Sequence, residues 1–209
     1  ENISQGTGGA DAETIEHAKR YAPLFFRSQN RLVTLLDFKA FVNNYITTYG
    51  SIGKATAITR RAYSSANIID IYVLEKASDI QLRKATPEYK RQIAGAINEM
   101  KMLTDEVVIV DGLIRSIDLI ITVRIDEKYK IKENVLQTKI RNRVLQHFNV
   151  DNTDFGKEFN PQDLMHSLFE IEEVRFATVD NIPDTVKISF NEIVQLDRKS
   201  TRLNSSHAN

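Results

Sequence analysis

The 209-residue chain contains no cysteine. Disulfides, thiolate nucleophiles and thiolate metal ligands are therefore excluded. Charge of one sign is not in excess either, because 28 Lys and Arg residues balance 28 Asp and Glu residues. The chain thus lacks the basic excess that attracts nucleic acid or an anionic membrane. What remains, 42% hydrophobic and 27% charged residues, is the composition of an ordinary folded protein.

Long hydrophobic runs are also missing. The most apolar stretch, residues 107–123, is interrupted by Asp111, Arg115 and Asp118. It therefore falls short of the roughly 20 apolar residues that a membrane-spanning helix needs. Glu1 is not a start methionine, so we expect an N-terminal portion to be missing. Residues 198–209 have no apolar periodicity and resemble translated adaptor sequence, and we expect them to be a disordered, non-native tail.

No group of side chains has the spacing of a catalytic or metal-binding site. None of the histidines pairs with another at helical spacing, so the sequence does not signal a local metal site. The neighbouring carboxylates Glu172 and Glu173 point to opposite faces in an extended chain, and so do Asp126 and Glu127. We therefore predict that the protein is not an enzyme and has no cofactor. The histidines are His17, His147, His166 and His207.

Two weak features could indicate binding to phosphate or nucleic acid. The glycine loop at residues 6–9 precedes a helix, but no Gly-Lys-Ser/Thr follows it, and Asp11 and Glu13 would repel a phosphate. The basic side chains between residues 139 and 143 flank an apolar helix face and lack the interleaved aromatic residues of a single-strand-binding surface. We predict neither nucleic acid nor a membrane as a partner.

Residues 7–45 contain two predicted helices with recognisable ends. The first follows the glycine loop, carries acidic residues in its early turns and stops before Pro23. The second begins at Thr34, because the run from Thr34 to Asp37 has the form of a capping box with Asp in place of Glu. Its broad face is too apolar for water and predicts packing on a sheet or another helix. That face consists of Phe38, Phe41, Val42 and Tyr45.

An ordered series of motifs runs through these two helices. It consists of Thr-Gly-Gly-Ala-Asp at residues 7–11, an acidic helix, Ala-Pro at residues 22–23, and Arg-Leu-Val-Thr-Leu-Leu-Asp-Phe at residues 31–38. The series resembles the baseplate J family, the baseplate wedge proteins of contractile-tail phages and related injection machines. Residues 46–197 resemble the looser continuation of that family, with Glu173-Val174 where members often carry Gly-Val. Residues 1–209 would then be its central and C-terminal portion.

The resemblance implies a structural role in a baseplate wedge. Such proteins self-associate around the tail hub, contact other wedge and hub proteins, and rearrange when the tail contracts. The implied location is the virion, after synthesis in the host cytoplasm, and no cofactor is implied. The motif residues are expected to form a turn, a helix stop and a helix cap; they are Gly8, Gly9, Pro23, Arg31, Thr34 and Asp37. Phe25 and Phe26, between the helices, either fill a core or dock another subunit.

The remaining sequence predicts an α+β fold of two small units. Each unit is a few-stranded, mostly antiparallel sheet packed by amphipathic helices. Residues 1–85 form the first unit, with paired strands at 54–60 and 68–75. Residues 86–197 form the second, with a helix from Pro87, a long strand at 117–125, helices at 132–148 and 161–169, and strands at 173–180 and 185–196. A β-bulge is expected near residues 191–192.

Two other function classes stay open from the sequence. One is a tail-associated cell-wall hydrolase, which would need an acid pair or a metal ion in a cleft. The other is an unrelated adaptor or nucleic-acid-binding module, which would need a one-sided basic face and salt-dependent binding.

Overall fold

The computed structural model describes residues 15, 19, 22, 31–48, 50, 52–61, 67–125, 133–197 and 202–207. The chain has an α+β fold, as predicted, and divides into two compact units. The first unit comprises residues 1–77 and 82–113, and the second comprises residues 78–81 and 114–209.

The first predicted helix falls almost entirely outside the described residues. Only Ile15, Lys19 and Ala22 of that segment are described, and each is helical and exposed. Ile15 and Ala22, which are apolar residues at helical spacing, are thus both exposed.

The first unit is a sheet covered by two helices. Helix α1 (Leu35–Asn44) is followed by strands β1 (Gly53–Arg61), β2 (Asn67–Ser78) and β3 (Gln81–Lys84), and then by helix α2 (Pro87–Met100) and strand β4 (Asp105–Asp111). Strands β1 and β2 pair antiparallel, which confirms the predicted pair. Strand β4 pairs with β2 in parallel, so α2 is the crossover helix that a parallel pair requires.

The core of the first unit lies between the sheet and these helices. Helix α1 contributes Phe38 and Val42, and helix α2 contributes Tyr89, Ile93 and Ile97. The sheet contributes alternate residues of its strands, which therefore share one face. They are Ala55, Ile69, Ile71 and Val73. The sequence predicts a domain boundary after residue 85. Such a boundary would put α2 in the other unit, although α2 contributes side chains to this core.

The second unit has two small sheets and two helices. Strand β5 (Leu113–Ile117) pairs with β8 (Glu192–Leu196). Strand β6 (Ile120–Ile125) lies between β7 (Val174–Val179), which is antiparallel to it, and β9 (Arg202–His207), which is parallel to it. Helices α3 (Glu133–His147) and α4 (Pro161–Phe169) contribute apolar side chains to the core of this unit. Those side chains include Leu136, Ile140, Val144, Leu164 and Leu168.

The predicted single strand at residues 117–125 is wrong, because β5 and β6 are separate strands. The side chain of Asn181 explains the break. Its Oδ1 accepts a hydrogen bond from the backbone N–H of Ile120 at 2.9 Å, and its Nδ2 donates to the carbonyl of Asp118 at 2.9 Å. These backbone groups are therefore bound by a side chain instead of a neighbouring strand, while Leu119 between them stays buried.

The predicted last strand at residues 185–196 is also shorter than expected. Only β8 is a strand, and Val186 makes an isolated bridge to Phe159. The expected bulge is a tight turn instead, in which the backbone N–H of Glu192 donates to the carbonyl of Ser189 at 3.0 Å. The Glu192 carboxylate accepts a second bond from the Ser189 N–H at 2.9 Å.

The expected disorder of residues 198–209 is contradicted over Arg202–His207, which form β9 against β6. A ladder of backbone hydrogen bonds requires no apolar periodicity, so the absence of that pattern was a poor guide to structure here.

Candidate functional site

The described part of the family-like motif is a helix cap. The hydroxyl of Thr34 accepts a hydrogen bond from the Asp37 N–H at 3.2 Å, and the Asp37 carboxylate accepts one from the Thr34 N–H at 2.8 Å. The same carboxylate lies 3.3 Å from the N–H of Val33, which also donates to it. The capping box predicted from the sequence is confirmed, and it satisfies N–H groups that a helix start leaves unpaired.

An exposed apolar surface lies beside this cap. The N–H of Leu32 donates to the Met100 carbonyl at 3.0 Å, and Leu32 bridges Lys101 in a parallel sense. The residues that follow this bridge on each side, Val33 and Met102, are therefore brought next to each other. We call this region the cap surface; it comprises Val33, Leu36, Met102 and Leu103, which are between 41% and 105% exposed.

The motif residues divide between this surface and the core. Leu32 and Phe38 are buried, whereas Val33 and Leu36 are 55% and 54% exposed. The helix cap fixes which side chains of the motif turn outward, because it sets where the helix begins. The cap surface was not predicted from the sequence. The adjacent residues Leu35 and Leu36 could have indicated it, because they add more apolar side chains than one helix face can bury.

The other predicted site residues have different outcomes. Arg31 is described and exposed, directly before the bridge of Leu32. The predicted turn at Gly8 and Gly9, the helix stop at Pro23 and the possible interface at Phe25 and Phe26 lie outside the described residues. Those roles stay predictions.

The basic side chains of α3 face acidic side chains within the second unit. Lys139 lies 2.5 Å from Glu173, and Arg143 lies 2.7 Å from Glu170. These pairs border a shallow depression of about 460 Å³ on the surface of the unit. Two of the basic side chains noted in the sequence are thus neutralised by carboxylates. They therefore add little positive potential that could attract a polyanion to this surface.

The described histidines do not form a reactive group. The ring of His147 lies edge-on to Phe148 and Phe159, with centroid distances of 5.3 and 6.1 Å. Burial, followed by the positive charge of Lys157, lowers the pKa of His147. The neutral form is therefore favoured, and the ring serves as a packing group at the edge of the core.

A buried carboxylate in the first unit binds the segment that leads from β3 into α2. The side chain of Glu75 is 2% exposed and accepts a hydrogen bond from Arg83 at 2.7 Å. Its second oxygen accepts a bond from the Thr86 N–H at 3.0 Å. Burial raises the pKa of Glu75, but the bonds from Arg83 and Thr86 together outweigh burial and lower it. This carboxylate is therefore a structural anion with its partners in place.

The hydroxyl of Tyr89, near this carboxylate, is a buried polar group that lacks a hydrogen bond in the described part of the chain. Burial, with the nearby charge of Glu75, raises its pKa well above the ordinary value. A Cβ on Gly53 would stand 2.5 Å from this hydroxyl and 2.2 Å from the Leu74 carbonyl, so only glycine fits there.

Metal binding and membrane spanning find no support in the described ranges. No cluster of His, Asp or Glu side chains there could hold a metal ion. None of the helices among these residues combines the length and apolarity required to cross a bilayer.

Comparisons with known proteins find similarity among solved structures. No family model and no curated protein matches the chain. A similar chain occurs in the "Cryo-EM structure of the anti-feeding prophage (AFP) baseplate, 6-fold symmetrised". The structural neighbour is thus a baseplate chain. The TM-score is 0.48 at 12% sequence identity, over 88% of this chain and 42% of the other. At these values, the likeness supports neither a family assignment nor a function.

Proposed function

We propose that the chain is a structural component of a contractile-tail baseplate wedge. In this role it assembles with copies of itself and with other wedge and hub proteins, and it catalyses no reaction. The proposal rests on the ordered motif series of residues 7–45, which resembles the baseplate J family.

One observation from the fold supports the proposal most directly. The motif at residues 31–38 builds the capping box and contributes Val33 and Leu36 to the cap surface. Exposed apolar side chains gathered at one place are typical of protein–protein interfaces. The motif therefore serves assembly through shape and apolar contact, with neither a bound cofactor nor a net charge.

A structural role also agrees with the contacts of the described titratable groups. Glu75, Glu170 and Glu173 pair with Arg or Lys side chains, and His147 packs among aromatic rings. A hydrolase needs an acid and a base, or a metal ion, that converge on one substrate atom. No observation on the described residues favours the hydrolase or the nucleic-acid-binding module over the wedge protein.

The proposed mechanism is an exchange of packed contacts. Subunits held by apolar surfaces can pass between two discrete arrangements when the tail contracts, because packed interfaces do not deform continuously. The cap surface would change partners in this exchange, while the buried ion pair of Glu75 keeps the first unit intact.

Co-expression with the proteins encoded beside this gene tests the function. We expect a complex that survives size-exclusion chromatography and appears as a wedge or ring in electron micrographs. Replacing Leu36 and Leu103 together by Ser should weaken this complex at least roughly tenfold, because it removes apolar area from the cap surface.

Val135→Ser is the matched control. Val135 is a similarly exposed apolar residue, 56% against 54% for Leu36, but it lies on α3 in the second unit. The control should leave the complex intact. A chain that binds none of the proteins encoded beside it would overturn the proposed function.

A further inference from the structure

The sheet of the first unit has two open edges. Strand β1 pairs with β2 on one side, and β4 pairs with β2 on the other, so β1 and β4 each present one side without a neighbouring strand among the described residues. An open strand edge carries a row of unpaired N–H and C=O groups, which can bind another extended chain.

Hydrogen bonds around β1 show which of its backbone groups face outward. The carbonyl of Ile52 accepts a bond from the Lys76 N–H, so the backbone N–H and C=O groups of even-numbered residues face β2. The N–H of Ala55 points the other way and donates to Asn43 Oδ1 at 2.7 Å. Because backbone groups alternate along a strand, those of Ala57 and Thr59 also point outward, beyond the position that Asn43 covers.

The same reasoning fixes the outward groups of β4. The N–H of Gly112 donates to the Val73 carbonyl, so even-numbered residues face β2. The N–H of Asp105 donates to the Met102 carbonyl, and the Asp105 carbonyl accepts a bond from Lys101 Nζ at 2.7 Å. The backbone N–H and C=O groups of odd-numbered residues therefore face away from β2. Val107 and Ile109 are among these residues.

The side chains of β4 indicate that its edge is built to be covered. The strand reads Asp-Glu-Val-Val-Ile-Val-Asp, and its apolar residues, which belong to both faces of the sheet, are all half-buried. A long apolar edge of this kind is an aggregation hazard unless a partner covers it. The chemistry that fits it is a second strand with apolar side chains on both faces.

We propose that β1 of one copy pairs with β4 of the next copy, so that the two sheets join edge to edge. The pairing is antiparallel, with Thr59 opposite Val107 and Ala57 opposite Ile109, which matches the outward groups of both strands. It also brings Ile58 opposite Val108. This inference deepens the proposed function, on which it rests, by naming the surfaces through which copies associate.

Charge favours this pairing over the pairing of two β4 strands. The antiparallel arrangement places the exposed Arg60 of one copy, which also pairs with Asp70 of its own chain at 3.1 Å, opposite the exposed Glu106 of the other. Pairing β4 with β4 about Val108 would instead oppose Asp105 and Asp111 at both ends, and like charges directly opposite are destabilising. Pairing of unlike edges is head-to-tail, and such interfaces generate rings when the rotation closes.

Analytical ultracentrifugation of the full chain over a range of concentrations tests the pairing. Thr59→Pro removes an outward N–H from an exposed position and leaves the β1–β2 ladder intact. Glu106→Lys places a positive charge opposite Arg60. We expect each substitution to weaken self-association roughly tenfold. Glu99→Lys, the same charge change at an exposed position of α2, is the control and should associate as the parent does.

A mixing experiment separates head-to-tail pairing from any symmetric contact. Thr59→Pro blocks only the β1 edge and Glu106→Lys only the β4 edge, so an equimolar mixture keeps one competent pair of edges. At a concentration between the dissociation constants of the parent and of the variants, we expect the mixture to form dimers and nothing larger, while each variant alone is mostly monomeric. Thermal unfolding of each variant confirms that the fold is retained; if Thr59→Pro unfolds, Thr59→Lys replaces it.

The outcomes distinguish this inference from the proposed function. If the parent chain self-associates and both edge variants associate equally well, the edge pairing is overturned while the baseplate role stands. A parent chain that stays monomeric at every concentration overturns the edge pairing, and co-expression with the proteins encoded beside this gene then decides the function independently.

Discussion

At the scale of single residues, Glu75 shows how the fold makes a buried charge tolerable. Removing a carboxylate from water costs several kcal/mol unless hydrogen bonds and an opposite charge replace the lost hydration. Arg83 and the Thr86 N–H supply that replacement. Both partners come from the segment that leads from β3 into α2, so the carboxylate fixes the direction in which the chain leaves the sheet.

The lowered pKa of Glu75 predicts a specific loss of stability in acid. A carboxylate whose pKa is lower in the folded state stabilises the fold fully above its ordinary pKa of 4.5 and loses this contribution as the pH falls through the lower, folded value. We expect the unfolding free energy to fall below about pH 4.5 more steeply in the parent chain than in Glu75→Gln. Urea unfolding at a series of pH values measures both slopes.

Glu75→Gln should also destabilise the chain at neutral pH by about 1–3 kcal/mol, because Arg83 and Thr86 lose a charged acceptor. Glu99→Gln, at an exposed position of α2, is the control and should change neither the stability nor its pH dependence. Equal acid slopes in the parent and in Glu75→Gln would mean that Glu75 contributes nothing to acid unfolding.

At the scale of elements, the start of α1 depends on one side-chain pair. Thr34→Ala removes the hydroxyl that accepts from the Asp37 N–H, and loss of such a cap costs about 1 kcal/mol. We expect a lower unfolding midpoint in urea for Thr34→Ala. Thr34→Ser keeps the hydroxyl and should unfold as the parent does. If both variants unfold alike, the capping box does not stabilise α1.

The capping box also shows which elements can be predicted from sequence. Its donors and acceptors lie within four residues of each other, so the local pattern contains all the information that it needs. The β1–β2 pair was predictable for the same reason, since alternation and a short connection are local signals. The break between β5 and β6 was not, because it depends on Asn181, 61 residues from its partner Ile120.

The candidate site likewise has local features that could be predicted from the sequence and long-range features that could not. Thr34 and Asp37 were recognised from their spacing, whereas the cap surface requires Leu32 to meet Lys101 across the first unit. The open edges of β1 and β4 likewise follow from the order of strands in the sheet, which hydrophobic periodicity does not encode. Sequence patterns identified the elements, and only their pairing revealed the surfaces that remain exposed.

At the scale of the whole molecule, the described residues form two hydrophobic cores that share no residue. Ile97 belongs to the core of the first unit and Leu164 to that of the second, and both are completely buried. Each core draws on its own sheet and its own helices. We therefore expect each unit to unfold as a separate cooperative transition, as is common for proteins with more than one core.

Differential scanning calorimetry of two core variants tests this expectation. Truncating a fully buried Ile or Leu to Ala costs about 2–5 kcal/mol, so Ile97→Ala should lower the melting temperature of one transition and Leu164→Ala that of the other. Leu103→Ala, at a fully exposed position of the cap surface, should shift neither. A single transition that both core variants lower equally would contradict separate units. Two independent transitions would mean that, in the proposed function, one unit can exchange its contacts while the core of the other stays packed.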